Sequence, residues 1–431
     1  SGHIYENEII QLYCNTDKKF LPDRYVIGTC PYCKADDQYS DLCEKCGRVP
    51  EEIENPHCSI CGQPPTKEKT KHYFFKLKNF STQLSQYLEN NQNLQKDVKK
   101  YVQNWIKEGL TDWDITRDIS WGIPIPVDGE KKKVFYGWFD NHLAYISSAI
   151  KFLNDNGKDG KTFWNESDIY HFIGKDIVYH HYLFLPAMRL GIGEEYKLPD
   201  YIPTRGHLTL QAKKISKSRN WYIGLKDFLQ IFPADYLRFY LVSINPYSQD
   251  DLNFDWDEFA TKINSELIGN FGNLINRALG FTVKAFDGVV PGPEELDEMD
   301  KESEKKIQEL VLDVGKLMEQ NHLDRALKKI LQFSAHFNQY FQHKEPWKNG
   351  PGTNSCVYLS VNAVRSLAVA IYPFLPKSSQ KIWTQLGIDG DVSAQRFDEI
   401  SNIVIKQGHK LGKVSPLFEK VEEFVIEEQK K

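Results

Sequence analysis

The chain has 431 residues, 41% of them hydrophobic and 26% charged, with a formal net charge of −5. That length is too great for one hydrophobic core and predicts about two to four domains of ordinary globular composition. The negative balance excludes a uniformly basic nucleic-acid coat, though a local basic groove remains open. No apolar run of about 18 residues and no apolar leader is present.

The chain opens Ser1-Gly2-His3-Ile4-Tyr5 without an initiator methionine and soon enters a cysteine-dense stretch. Cys30-Pro31-Tyr32-Cys33 is followed by Cys43-Glu44-Lys45-Cys46-Gly47. Two Cys-x-x-Cys turns at this distance aim four thiolates at one point, which predicts a structural tetrahedral zinc held by Cys30, Cys33, Cys43 and Cys46. Gly47 and Gly62 follow their pairs where a tight turn favours positive φ. A third pair, Cys58-Ser59-Ile60-Cys61, needs partners. Cys14 stands three residues before Asp17, the spacing of a knuckle, so a second zinc held by Cys14, Asp17, Cys58 and Cys61 is expected. His57 and His72 are rival ligands, and the alternative is a buried Cys14 beside a turn aspartate. Disulfides would require an oxidising compartment, which nothing in the sequence indicates. Neither cluster leaves an open coordination position, so both metals are expected to be structural, holding a region of about residues 10–75 that has few apolar residues. Cys356, alone in an apolar helical stretch, reads as core.

Tyr73–Leu77 reads as a strand, and Ser81 as the cap of one long helix running to Ile106 through Leu84, Leu88, Val98 and Val102. The prolines and glycine of 119–126 read as a loop. Residues 134–242 alternate: a strand at Val134–Tyr136, a helix from Asp140 to Leu153, a strand over Ile169–Gly174, a helix starting at Asp176, and a strand over Ile202–Leu210. That alternation predicts a parallel sheet, with functional groups at the carboxyl ends of its strands. From Asp255 onward periodic apolar faces predict a helix bundle (Phe259–Phe286, Lys301–Gln320, Leu323–His343, Tyr358–Leu375, Ser378–Leu386). The segment Asp287–Pro293 reads as a linker, and the acidic tail after Phe418 as a helix that docks or frays.

One loop carries most of the chemistry. Lys214-Ile215-Ser216-Lys217-Ser218 follows Leu208-Thr209-Leu210 and puts two cations and two hydroxyls near one point. This suits a triphosphate whose charge is redistributed as pyrophosphate leaves; the alternative is a solvated basic loop.

The string resembles the KMSKS loop of class I aminoacyl-tRNA synthetases, with Ile215 for the usual Met. Phe20-Leu21-Pro22-Asp23-Arg24, the nested cysteine pairs, Trp138-Phe139-Asp140, Phe172-Ile173-Gly174-Lys175-Asp176 and the lysine loop occur in this order in methionyl-tRNA synthetases. The chain resembles the type with two zinc knuckles in the connective peptide. The resemblance implies an α/β fold: a class I Rossmann-like catalytic half carrying a zinc-knuckle insert, followed by an all-α anticodon-binding bundle. The expected ranges are 1–115 for the connective peptide, 116–232 for the second half of the catalytic domain, 233–260 for a stem-contact linker and 261–431 for the bundle.

The implied activity is methionine activation by ATP, accompanied by Mg, and transfer to the terminal ribose of methionine tRNA. Lys214 and Lys217 would stabilise charge on the departing pyrophosphate, Ser216 and Ser218 would shape the loop, and Arg117 matches an arginine near the reacting centre. Asp114 or Asp118 would give Arg117 an ion pair instead. Gly174, Lys175 and Asp176 match the nucleotide-binding turn, Asp176 being otherwise a helix cap. Trp138, Tyr145, Ile177 and His181 match the methionine pocket, where a thioether needs apolar, polarizable walls. Asn141-His142 replaces the family's Ala-Pro at that wall and affects side-chain selectivity. Asn273, Arg277 and Trp347 match residues that read the anticodon by hydrogen bonding and stacking; otherwise they are a surface pair and a core Trp. The family's HIGH-type histidine motif is not found. The chain is therefore expected to start inside the connective peptide and, by itself, not to form adenylate. The remaining implications are a cytoplasmic monomer without membrane contact. A related synthetase for leucine, isoleucine, valine or cysteine, and a zinc-containing RNA-binding module without catalysis, are the alternatives.

Overall fold

A computed structural model describes residues 1–431 except 41, 42, 44, 46–49, 51, 128, 130–132, 194, 195, 218, 219, 401 and 431. Cys46, Gly47 and Ser218 thus lie outside the described residues. The chain divides into two compact units, Ser1–Pro203 and Thr204–Lys431.

In the first unit, strands Ile4–Cys14 and Thr66–Phe75 pair antiparallel from Ile4↔Phe75 to Tyr13↔Thr66. Lys19–Phe20 and Trp113–Asp114 flank this ribbon. Its middle is largely exposed, Ile10 included, except that Thr70 and His72 are buried on one face. Surface pairs such as Lys69–Glu8 at 2.7 Å decorate it and contribute little. The periodic signal of a half-buried strand is therefore missing from the sequence, and only the apolar end at Tyr73–Phe75 reads as a strand. At the tip, Val26–Thr29 pairs with Gln38–Tyr39 and Glu54–Cys58. The tip core holds little more than Cys14, Leu21, Val26, Ile53 and Cys58.

At the ribbon's base the helical stretch is two helices, Ser81–Asn90 and Lys96–Glu108, instead of the single one expected. Leu84, Leu88, Val98 and Val102 are buried as their periodicity requires. The break falls where the Asn91 amide donates to the carbonyls of Pro199 and Asp200 at 3.1 and 3.0 Å, side-chain bonds that compete with continued helix. Ser81 is not the cap either: its hydroxyl donates back to the Lys78 carbonyl at 2.8 Å. Helix Ala144–Asp155 begins later than expected, after a helical turn Gly137–Asp140 and a 3₁₀ turn Asn141–Leu143. Residues 169–173 run parallel to 201–203, with the His171 and Ile173 amides donating to the carbonyls of Tyr201 and Pro203. Asp176 sits in a 3₁₀ turn, Lys175–Ile177, which leads through a π-helical turn, His180–Phe184, into helix Leu185–Ile192.

In the second unit, Leu208–Leu210 pairs parallel with Leu252–Phe254 and antiparallel with Lys213–Lys214. The expected strand over 202–210 is thus two short pieces, Thr204–Arg205 and Leu208–Leu210, separated at Gly206. A Cβ at Gly206 would come within 1.8 Å of the Asp250 carbonyl oxygen, so only glycine admits the approach of the two segments.

The helical region follows the expected periodicity. Trp256–Lys262, the π-helical Ile263–Gly272 and Asn273–Phe286 run on without a gap, capped by Asp255, whose carboxylate accepts from the Asp257 and Glu258 amides. Glu298–Glu319, Leu323–Lys344, Thr353–Ile371 and Pro376–Gln385 pack around one core. Thr353–Ile371 is long and apolar enough to cross a membrane, but 94% of that window is buried at the centre of the bundle, Cys356 included. The Asp287–Pro293 linker is pinned rather than loose, with Val290 exchanging backbone hydrogen bonds with residues 408 and 409. The tail docks as helix Glu423–Gln429, burying Ile426.

One charged group ties two bundle helices together. Asp300 closes a capping box with Asp297, accepts from the Tyr340 hydroxyl at 2.7 Å and pairs with Lys344 at 2.6 Å, while fully buried. Replacing Asp300 with Ala leaves the buried Tyr340 hydroxyl without its acceptor and Lys344 with Asp297 alone, and should lower stability by about 2 kcal/mol. Urea unfolding followed by far-UV circular dichroism measures this; a change below about 1 kcal/mol would show that the pair does not hold the helices together.

Candidate functional site

The cysteine clusters form in the first unit. Cys14, Asp17, Cys58 and Cys61 place their donor atoms within 4.8 Å of one another, as do Cys30, Cys33 and Cys43. The Cys14 and Cys61 sulfurs are 3.4 Å apart, and those of Cys33 and Cys43 3.6 Å. A tetrahedral zinc with Zn–S bonds of about 2.3 Å requires sulfurs about 3.8 Å apart, so the donor sets fit that ion. The Asp17 carboxylate lies 3.2 Å from the Cys14 sulfur and 3.1 Å from that of Cys58, in the place of a fourth thiolate.

The local chain explains why an aspartate can stand there. Lys18, Lys34 and Gly62 each follow a Cys-x-x-Cys or Cys-x-x-Asp turn, and all three have positive φ, 51°, 55° and 73°. The Asp17 turn thus has the backbone form of a Cys-x-x-Cys turn with an aspartate in the last position. His72, the rival ligand, is elsewhere. It is fully buried, with Nδ1 3.0 Å from Asp114 and Nε2 3.0 Å from Asp118. His57 sits on strand Glu54–Cys58, outside the group whose donors converge.

The His72 network surrounds Arg117. Lys133 pairs with Asp118, which also accepts from the Thr70 hydroxyl at 2.7 Å. Arg117 reaches the Asp114 carboxylate at 3.5 Å and stacks on Tyr136, 3.7 Å from the ring centre. The expected ion pair with Asp114 is therefore present, and it coexists with a guanidinium held flat on an aromatic face. Each ring nitrogen of His72 faces a carboxylate acceptor, and only the imidazolium donates from both. Burial opposes the charge, but the bonds to Asp114 and Asp118 outweigh it and raise the His72 pKa.

The expected pocket residues gather around a cluster of imidazoles. Nδ1 of His181 donates to the Ile177 carbonyl at 3.0 Å, so Nε2 is free to accept from the Tyr145 hydroxyl at 3.2 Å. His180 stacks on Trp138 with centroids 4.7 Å apart and shares a 3.2 Å hydrogen bond with His142. Trp138 and Tyr145 flank these rings. Burial, then neighbouring positive groups, lowers the pKa of His142 to about 3, of His171 to about 3 and of His180 to about 4, and lowers that of His181. The wall is therefore uncharged at neutral pH, polarizable and rich in hydrogen-bonding edges. Asn141 is exposed and His142 buried, so only the second of the two unusual residues shapes the wall. His142 and His180 escaped the sequence reading as a pair because nothing local links positions 38 residues apart. Nearby, the Gly174-Lys175-Asp176 turn folds its carboxylate over the glycine: a Cβ at Gly174 would lie 2.5 Å from Asp176 Oδ1.

In the second unit Lys214 ends a hairpin whose turn residues, Gln211 and Ala212, have positive φ. Beyond it, Ser216 and Trp221 exchange backbone hydrogen bonds at 2.8 and 2.9 Å, and the Trp221 indole donates to the Leu210 carbonyl. Lys214 and Lys217 are exposed, and Ser216 is half-buried. The lysines thus ride on a loop anchored at its base to a parallel strand.

In the bundle, Asn273, Arg277 and Trp347 come together. Arg277 lies 5.9 Å from the centre of the Trp347 ring, which is 43% exposed and so no core tryptophan. Asn338 joins them: it accepts from the Asn273 amide at 2.9 Å and from Arg277 at 3.5 Å through its carbonyl, while Gln342 accepts from Arg277 at 3.0 Å. Asn338 and Gln342 lie one turn apart on Leu323–Lys344, a spacing that hints at a shared polar face.

Residues 1–279 match the family model described as tRNA synthetases class I (M), and residues 290–431 match the anticodon binding domain of methionyl tRNA ligase. The chain belongs to the class I (M) tRNA synthetases. It is 41% identical over 438 residues to the methionine–tRNA ligase of Methanopyrus kandleri, covering 100% of this chain and 64% of that protein. The Pyrococcus furiosus methionine–tRNA ligase is 41% identical over 442 residues, 97% of this chain and 60% of its own. The chain spans about three fifths of the length of these curated relatives. Among solved structures, apo Mycobacterium tuberculosis methionyl-tRNA synthetase superposes with a TM-score of 0.76 at 22% identity, over 98% of this chain and 78% of that one. Its methionyl-adenylate-bound form gives 0.77 at 23%, over 97% and 78%. These likenesses establish the fold: a class I synthetase catalytic region with an α/β sheet, and an anticodon-binding helical domain.

Within this family fold the His72 cluster predicts a pH dependence. A raised imidazole pKa contributes stability that is full below the unfolded value of about 6.5 and is lost as pH rises through the folded value. Thermal unfolding of the full chain should therefore show a stability component that declines above about pH 6.5, and His72→Asn should remove it. Parallel pH profiles for the two proteins would refute the imidazolium.

Proposed function

We propose that the chain supplies the pyrophosphate-leaving loop, the zinc-bearing connective region and the anticodon-reading bundle of a methionine–tRNA ligase. The observation that carries this reading is the likeness, along the whole chain, to methionine–tRNA ligases. The reaction has two steps. A methionine carboxylate oxygen attacks the α-phosphorus of ATP, which is accompanied by Mg, and pyrophosphate leaves. The terminal ribose hydroxyl of methionine tRNA then attacks the carbonyl carbon of the adenylate, and AMP leaves.

Lys214 and Lys217 stabilise charge that appears on pyrophosphate only as the bond breaks, a transition-state effect rather than ground-state ATP affinity. Ser216 and Ser218 shape that loop. Gly174, Lys175 and Asp176 contact the nucleotide, and Arg117 lies at the reacting centre. Trp138, Tyr145, Ile177 and His181 hold the methionine side chain, whose thioether suits an uncharged, polarizable wall. Asn273, Arg277 and Trp347 read unpaired anticodon bases. The compartment of action is the cytoplasm, and the chain acts as a monomer.

We assign structural zinc to Cys14, Asp17, Cys58 and Cys61, and to Cys30, Cys33, Cys43 and Cys46. Zinc supplies no chemistry here; it replaces the apolar core that the ribbon tip lacks.

Lys217→Ala in the full native protein should lower methionine-dependent pyrophosphate exchange by at least ~10²-fold while leaving tRNA binding intact. An unchanged exchange rate would remove the loop from the mechanism. Elemental analysis should find two zinc ions per chain and only one after Cys14→Ala. Full metal content in that variant would reject the mixed thiolate–carboxylate site.

A further inference from the structure

Arg205 ends the short strand that precedes the lysine hairpin. It belongs to none of the metal, imidazole or base-reading groups. Its side chain is half-buried and held from two directions. The guanidinium lies over the Tyr247 ring, 4.2 Å from the centre, and donates through Nη2 to the Asn321 carbonyl at 2.9 Å. Burial works against its charge, while Tyr247 and Asp324 favour it.

Both partners are themselves fixed. Tyr247 meets the His322 ring edge-on, with centroids 5.4 Å apart. Asn321 is the left-handed corner, φ 61°, between helices Glu298–Glu319 and Leu323–Lys344, and is 5% exposed. Asparagine tolerates that backbone, and the Asn321 amide donates to the Met318 carbonyl at 2.9 Å, which sets the direction of the turn.

Three segments therefore meet where the chain enters the hairpin. Residues 244–252 hold the entering strand through its backbone: the His207 amide donates to the Asp251 carboxylate at 2.8 Å, and the Leu252 amide to the His207 carbonyl at 2.8 Å. Arg205 adds the third side, tying this entry to the helix corner across 116 residues of sequence. A planar group that stacks and donates at once resists both tilt and rotation, which a lysine ammonium could not do. Lys214 ends the hairpin a few residues further on, so a tilt at the entry is carried to the lysines. A small misplacement of a group that acts on the transition state is costly there.

We propose that Arg205 is a positioning residue for the lysine loop: clamped between Tyr247 and the Asn321 carbonyl, it sets the direction from which Lys214 and Lys217 meet the leaving pyrophosphate. This rests on the reading of that loop as the pyrophosphate-leaving loop, and goes beyond it in naming the side chain that aims it.

Methionine-dependent pyrophosphate exchange tests this in the full native protein, with Arg205→Ala, Tyr247→Ala, Lys217→Ala and the double variant Arg205→Ala/Lys217→Ala. Arg205→Ala should lower kcat on the order of tenfold and leave KM for ATP within about twofold, because the lysines act on charge that appears only as the bond breaks. Tyr247→Ala, which removes the other face of the clamp, should do the same. In the Lys217→Ala background Arg205→Ala should cause no further loss, since it acts through the loop. Hydrogen–deuterium exchange gives a readout apart from activity: amides of residues 208–217 should exchange faster in Arg205→Ala while the bundle helices stay protected. An unchanged kcat in Arg205→Ala overturns the proposal, as do additive losses in the double variant or unchanged protection of 208–217. Loss of protection throughout the bundle also overturns it, because Arg205 would then only hold the fold. A silent Lys217→Ala would reject the loop reading and the clamp together; a normal Lys217 effect beside a silent Arg205→Ala would reject the clamp alone.

Discussion

The parallel pairing of Leu208–Leu210 with Leu252–Phe254 is the constraint on which the proposed chemistry depends. It requires the backbone at Gly206 to pass against Asp250 where any side chain would collide. It also anchors the turn at Gln211 and Ala212, because the Ala212 amide donates to the Asn253 side chain at 2.6 Å. The lysines are long and exposed, so they gain direction only from a rigid base. Mobile cations on a fixed hinge can follow charge as it moves onto a leaving group, whereas cations on a loose loop would lose that advantage to entropy.

The first unit solves the opposite problem. Its ribbon leaves most of its middle side chains to water and buries apolar surface mainly at its two ends. Two convergent donor sets hold the tip, and at the base a buried His72 clamps the two aspartates flanking Arg117. Removing charge from that imidazole would leave one of the two carboxylates without a donor from the ring, with Lys133 and Arg117 still beside them. Convergent donor sets at one end and a charged hydrogen-bond network at the other thus stand where a larger core stands elsewhere.

The imidazole cluster shows how a buried polar ring can be accommodated without charge. His142 is buried, but burial and its neighbours keep it neutral, and His180 satisfies it. The cluster thereby stays polarizable while presenting hydrogen-bonding edges.

How much was legible in the sequence follows the range of the forces involved. That the cysteine pairs converge was readable because a Cys-x-x-Cys turn is a local backbone object, and that Asp17 joins Cys14, Cys58 and Cys61 was readable for the same reason. Bundle helices were readable from apolar period alone. The long ribbon was not, since its faces carry no alternation, and the break at Asn91 was not, since the competing carbonyls belong to residues more than a hundred positions away. The sequence left His72 open as a rival ligand because its partners, Asp114 and Asp118, lie 42 and 46 residues away. Spacing and period therefore determined which residues could hold metal, carry charge or fill a core. Only the tertiary structure decided which imidazoles meet, that Asn338 joins Asn273 and Arg277, and that Arg205 reaches Asn321, because those contacts exist only once distant segments have paid their ordering entropy together.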